Sequence, residues 1–299
     1  MQTIVPLPDS SVRGPLGIMH VPRLWLKRIL AVSGRLPAGY LTGTGWDATL
    51  LARIGLDPTA TFAMLDTRPT YLAFEAWIRS RATRLDPASI AAANAATMSA
   101  DLDDETATES RAFVGLDDPQ QRNMALLNAL EDWTIVHQAA IAGELDPIVP
   151  AISSQSVGPL GLRHLPRFWL KALLEATGAL YDGWKSGPAS GFDTWFASIT
   201  QIDLPMAKAR ITTTLPSYLD YECWFAATAG NVGADVIADL NAQMARREKP
   251  EAVAARDLAL LGIEDPNYRL SAEINDLVDW HTLHEIIVAE STQTRARLE

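Results

Sequence analysis

Four titratable side chains in this chain interrupt helical stripes that are otherwise apolar. His137 shares a face with Leu126, Leu130, Trp133 and Ile141, and His284 shares one with Leu277, Trp280 and Val288. Glu75 lies among Tyr71, Leu72 and Ile78, and Glu222 among Tyr218, Leu219 and Phe225. A buried imidazole needs partners for both ring nitrogens. A carboxylate in apolar surroundings must be paired, bind a metal or carry a raised pKa. Such groups suit proton transfer, with the histidines as acid or base and the glutamates orienting the imidazole or acting as the base. The facing stripes predict that Glu75 pairs with His137. The alternatives are a satisfied core histidine and a structural Glu–Arg or Glu–His bridge, which give the same pattern.

A second constellation is cationic. His20, Arg23 and Lys27 fall at i, i+3 and i+7 near a helix N-terminus, and His164, Arg167 and Lys171 repeat the spacing. Arg and Lys at a helix start suit carboxylate or phosphate groups, so these side chains are candidate anion ligands, and His20 and His164 are further candidate acids or bases. A solvated face, or an ion pair with Glu75 or Asp47, would explain the stripe equally well. Tryptophans Trp77, Trp133, Trp224 and Trp280 are candidates to line a substrate pocket. His281 and His284 stand one turn apart and offer two ligands to a metal, without the spacing of a zinc protease and without an evident third ligand. Phosphate-binding loops, dinucleotide fingerprints and nucleophile elbows are absent, and no cofactor is expected.

These residues recur because the chain contains one unit twice. The segment Gly14 to Lys27 returns as Gly158 to Lys171 with ten of fourteen positions identical, at an offset of 144. The offset becomes 146 at Asp47/Asp193 and 147 from Pro69/Pro216 onward, which places the length changes in the glycine-rich segments 39–45 and 183–191. The expected domains are residues 1–145 and 155–299, joined by a Pro- and Ser-containing linker around 146–154. Nearly every segment reads as helix. Pro58 and Pro87 follow aspartates at first helical positions, alanine runs favour helix, and the last segment of each unit is long and amphipathic. The expected fold is all-α, with six or seven helices per unit and an internal pseudo-twofold between two similar helical domains.

The chain has 299 residues, 48% hydrophobic and 20% charged, with a formal net charge of −11. That acidity disfavours nucleic acid and anionic membranes as partners. Cys223 is the single cysteine, which excludes an internal disulfide and a thiolate metal site. No apolar run reaches membrane-spanning length, and residues 1–11 lack a secretory pattern. A cytoplasmic monomer or homodimer acting on a small molecule is expected.

Three separated motifs carry a family resemblance. They are Gly-Pro-Leu-Gly-x-x-His-x-Pro-Arg-x-Trp-x-Lys, Pro-Thr-Tyr-x-x-Phe-Glu-x-Trp from Pro69 to Trp77, and Asn-x-Leu-x-Asp-Trp-x-x-x-His from Asn128 to His137. In this pattern the chain resembles a bacterial family known only as a domain of unknown function, DUF5069, here present in two tandem copies. In the second copy Ser217, Tyr221 and Cys223 replace Thr70, Phe74 and Ala76. The resemblance implies the domain boundaries and no mechanism. Taken together, the residues predict a cofactor-independent lyase, isomerase or hydrolase using His/Glu acid–base chemistry on a small organic molecule. The rivals are a non-catalytic helical module that binds a small molecule or protein, and a metal enzyme centred on His281 and His284.

Overall fold

The aspartates before Pro58 and Pro87 do cap helices. In the computed structural model, which describes residues 2–298 and their side chains to residue 289, Asp57 accepts from Ala60 N ahead of Pro58, and Asp86 from Ser89 N ahead of Pro87. Asp103, Asn123, Asp203 and Ser217 cap four further helices in the same way. Each such cap stabilises its helix by roughly 1 kcal/mol.

The described residues form fourteen α-helices and a short 3-10 turn, Gly187–Ala189, with isolated bridges and no strand. The first half contributes α1 (Val21–Val32), α2 (Trp46–Ile54), α3 (Pro58–Asp66), α4 (Tyr71–Arg81), α5 (Pro87–Met98), α6 (Asp104–Val114) and α7 (Met124–Ile141). The second contributes α8 (Leu165–Ala176), α9 (Gly191–Thr200), α10 (Leu204–Thr214), α11 (Tyr218–Thr228), α12 (Ala234–Arg246), α13 (Glu251–Leu261) and α14 (Ser271–Leu298).

Each half begins with an extended arm rather than a free connection. Ile4 N donates to Arg35 O at 2.8 Å, and Ile148 N to Ala179 O at 2.8 Å. Val149, Ala151, Ile152, Ser153 and Ser154 are buried. The segment expected to be a linker is therefore packed. Its prolines and serines remove or satisfy backbone groups, which allows irregular chain to be buried.

The terminal helix of each half docks on the other half. Helix α7 packs on α8 and α11 as well as on α6, and α14 packs on α4 as well as on α12 and α13. One continuous hydrophobic core joins the halves through Trp25, Tyr71, Trp280, Trp133, Tyr218 and Trp169. Among the described residues no helix is long and apolar enough to cross a membrane.

Candidate functional site

The cationic stripe faces inward. His20 and His164 stand immediately before α1 and α8 in the left-handed conformation, both at φ 69°. Their rings are held on both sides. His20 Nδ1 meets Ser10 Oγ at 2.9 Å and Nε2 meets Asp47 Oδ1 at 2.8 Å, and His164 meets Ser154 Oγ at 3.0 Å and Asp193 Oδ1 at 2.8 Å. Lys27 Nζ donates to Asp47 at 2.7 Å, and Lys171 Nζ to Asp193 at 2.6 Å. Arg23 donates to Asp132 at 2.5 Å and to Pro6 O, and Arg167 to Asp279 at 2.5 Å and to the carbonyls of Pro150 and Ile152. Burial lowers His20 and, despite the neighbouring carboxylate, pushes His164 down to about 4. Burial alone would raise Asp47 and Asp193, but the His and Lys partners overcome it and hold both at about 2. The stripe is thus neither a solvated face nor an open anion site. Of the readings weighed above, the ion pair with Asp47 is the one observed.

Glu75 and Glu222 are buried, but they do not meet the histidines. Tyr71 Oη donates to Glu75 Oε1 at 2.5 Å and Leu16 N donates to Oε2 at 3.1 Å. Tyr218 donates to Glu222 at 2.6 Å, and Leu160 N supplies the matching backbone bond. Burial pushes both carboxyls up to about 7, against the opposing effect of these donors. The Gly-Pro-Leu-Gly motif therefore has a structural use, because its backbone closes over the glutamate. A Cβ on Gly14 would lie 2.4 Å from Tyr71 Oη and 2.5 Å from Glu75 Oε1, and one on Gly158 would lie 2.4 Å from both Glu222 Oε1 and Tyr218 Oη. Gly158→Ala is expected to cost about 1–3 kcal/mol by overpacking, read as a lower urea midpoint. A neutral result would show that the loop can move aside.

The predicted pairing of Glu75 with His137 is not what the structure contains. His137 Nε2 bonds to Leu215 O at 2.9 Å, and His284 Nε2 to Arg68 O at 2.9 Å, each reaching into the opposite half. The two carbonyls belong to residues with φ of 45° and 55°. Such left-handed turns end a helix and expose a carbonyl that a donor must meet. Around each histidine the same aromatic set repeats. Trp25 stacks on His284 at 6.1 Å and Tyr71 meets Trp280 edge-on at 4.5 Å; His137 lies 6.1 Å from Trp169, and Trp133 is 4.7 Å from Tyr218. The helical wheel identified these residues as buried, but it could not show that the surface opposite them belongs to the other half. Trp133 and Trp280 are core, while Trp77 stacks on Phe74 and Trp224 on Tyr221 toward the periphery. His281 has Glu285 at 3.4 Å, and among the described residues no three His, Cys, Asp or Glu side chains are placed to hold a metal.

An open cavity of about 490 Å³ lies beside the second network. It is lined by the buried His164, Arg167 and Lys171, by Trp184, Phe192, Val253, Val278 and Asp279, and by a charged rim of Lys185, Arg247 and Arg256 that includes the buried Lys249–Asp257 pair. Trp184 Nε1 donates to Asp279 Oδ1 at 2.9 Å, where the first half places Tyr40, whose hydroxyl donates to Asp132 at 2.5 Å. Lys249 Nζ and Arg256 share Asp257, at 2.5 Å and 2.7 Å. The rim residues escaped sequence reasoning, although a signal existed. At the 147 offset Arg247, Lys249 and Arg256 align with Ala100, Leu102 and Glu109, so these positive charges occur in the second half alone. The expected ligands Arg167 and Lys171 do line the cavity, whereas Glu75, Glu222, Trp77, Trp133, Trp224 and Trp280 do not. Comparison of the chain with protein-family models, with curated proteins and with solved structures finds no match.

Proposed function

We propose that this chain is a duplicated helical protein whose second half binds a small organic molecule without transforming it. One observation carries the reading. Both ring nitrogens of His164 are occupied and both candidate glutamates are closed against tyrosine, yet a cavity opens directly over the second His–Lys–Asp network. A general acid or base needs a free site within hydrogen-bond reach of substrate, and a binding pocket needs only a shaped, partly apolar wall with a few polar anchors. Binding therefore accounts for the geometry better than the lyase, isomerase or hydrolase chemistry expected from residue types.

The duplicated domains, residues 1–145 and 155–299, are on this reading related by a twofold exchange of terminal helices. The reciprocal bonds His137 to Leu215 and His284 to Arg68 support that relation. The first unit then serves as the packing partner of the unit that binds. Its resemblance to the DUF5069 pattern adds no activity.

The test is a thermal-shift screen with small organic acids, alcohols and amines against the wild type and Val278→Trp, which fills the cavity. A ligand present at about a hundred times its Kd should add about 2.7 kcal/mol to stability. It should lose that effect in the variant and be recovered unchanged after prolonged incubation. Equal stabilisation of Val278→Trp would place binding elsewhere, and conversion of the ligand would restore the catalytic reading.

A further inference from the structure

The charges around the second-half cavity do not cancel. Asp193 and Asp279 are fully engaged by Lys171 and Arg167, and Asp257 is shared by two cations, Lys249 and Arg256. Arg247 and Lys185 have no carboxylate at all among the described residues. The Arg247 guanidinium instead rests over the ring of Trp195 at 4.5 Å and that of Phe192 at 5.5 Å, with no hydrogen-bond acceptor among the described residues. An arginine packed over aromatic rings is pre-organised, and its N–H groups stay free for a bidentate acceptor. Six cations thus line the cavity against two lining carboxylates, Asp257 and Asp279, with Asp193 and Asp276 acting on Arg167 from beneath, in a protein whose net charge is −11.

Like charges gathered over low-dielectric walls repel one another unless something neutralises them. Burial lowers the pKa of Arg247, and it lowers that of Lys249 even though Asp257 opposes the effect. The first half shows what the same backbone does without this task. There the three rim positions are Ala100, Leu102 and Glu109, and Val278 is matched by Glu131.

We infer that the second-half cavity binds a small organic dianion, with its acid groups on Arg247, Lys249 and Lys185 and a ring or apolar body against Trp184 and Val278. This rests on the binding reading above and adds the ligand's charge and shape. Two negative charges leave the cluster near neutrality, and the apolar wall favours an organic body over a bare inorganic ion. A phosphate monoester and a dicarboxylate both supply the required chemistry. Inorganic salt should compete with either, because the rim is open to solvent.

Titration calorimetry with four probes tests it: phenyl phosphate, phthalate, benzoate and benzyl alcohol, each against the wild type, Arg247→Ala and Val278→Trp. Phenyl phosphate or phthalate should bind at least about tenfold more tightly than benzoate, because a second charge-assisted bond is worth about that factor. Whichever of the two binds more tightly identifies the acid group. Arg247→Ala should weaken the dianion about tenfold or more and leave benzyl alcohol unmoved, and added salt should act in the same selective way. Arg247 is half-buried and its side chain touches only the partly buried rings of Phe192 and Trp195, so the variant should fold. Equal affinity for benzoate, benzyl alcohol and the dianions, all abolished by Val278→Trp, would overturn the charge assignment and leave the binding site standing. Failure of every probe to bind, or binding that persists in Val278→Trp, would overturn both.

Discussion

Asp193→Ala lowers the free energy of unfolding by about 3–5 kcal/mol, the cost of stranding one member of a buried ion pair. Asp193 is fully buried and accepts from Lys171 Nζ, His164 Nε2 and Gly187 N. Without it the Lys171 ammonium, itself 4% exposed, keeps only the Ser190 hydroxyl at 3.3 Å. One hydroxyl does not replace a carboxylate for a desolvated cation. The effect should appear as a lower urea midpoint at unchanged slope, since the same surface is exposed on unfolding. Adding Lys171→Met to Asp193→Ala should recover much of the loss, because removing both charges removes the stranded one. That rescue separates an ion-pair effect from a packing effect. A loss below about 1 kcal/mol for Asp193→Ala would mean that water reaches Lys171 through the adjoining cavity.

The same network shows how far the sequence could be read. The all-helical character and a count of six or seven helices per half followed from proline position, alanine runs and apolar periodicity, all of which act locally. The burial of Glu75, Glu222 and His284, and the half-burial of His137, were legible for the same reason. Their partners were not. Glu75 is met by Tyr71, one turn back on its own helix, and by a backbone N–H of the Gly-Pro-Leu-Gly loop. No residue type announces a backbone donor. His137 and His284 meet carbonyls of the opposite half, and a helical wheel carries no information about the facing surface. Asp132 and Asp279 stood in plain view within the terminal motif, yet their use depends on Arg23 and Arg167 lying more than a hundred positions away. Features common to both units turned out to be packing and internal pairing. The cavity is lined both by recurring residues, Arg167 and Lys171, and by Arg247, Lys249 and Arg256, which have no basic counterpart in the first half.

The glutamates that agree between copies should dominate the response of stability to pH. Glu75 and Glu222 have folded pKa values near 7, against an ordinary value of 4.5. A carboxyl raised on folding binds more protons in the native state, so its contribution is complete below about 4.5 and lost as pH rises through 7. At 1.36 kcal/mol per pKa unit this amounts to on the order of 3 kcal/mol per site. His20 and His164 act in the opposite sense. Their pKa values are lowered by burial, so their contribution is present above 6.5 and lost as pH falls, through about 4 for His164. The windows overlap, and the wild-type profile between them is flattened by compensation. Asp276, also raised to about 7 by burial, adds to the glutamate side and is untouched by the substitutions that follow. Glu75→Gln with Glu222→Gln removes two of the opposing titrations. The glutamine amide reproduces the protonated carboxyl, with its oxygen accepting from Leu16 or Leu160 N–H and its nitrogen donating to the tyrosine oxygen. The double variant should match the wild type near pH 4.5 and exceed it by several kcal/mol at pH 8, with most of the divergence between those points. Urea denaturation across that range reads the difference directly. Parallel profiles would show that both glutamates titrate normally in the folded protein, and that water or a cation reaches them inside the tyrosine clamp.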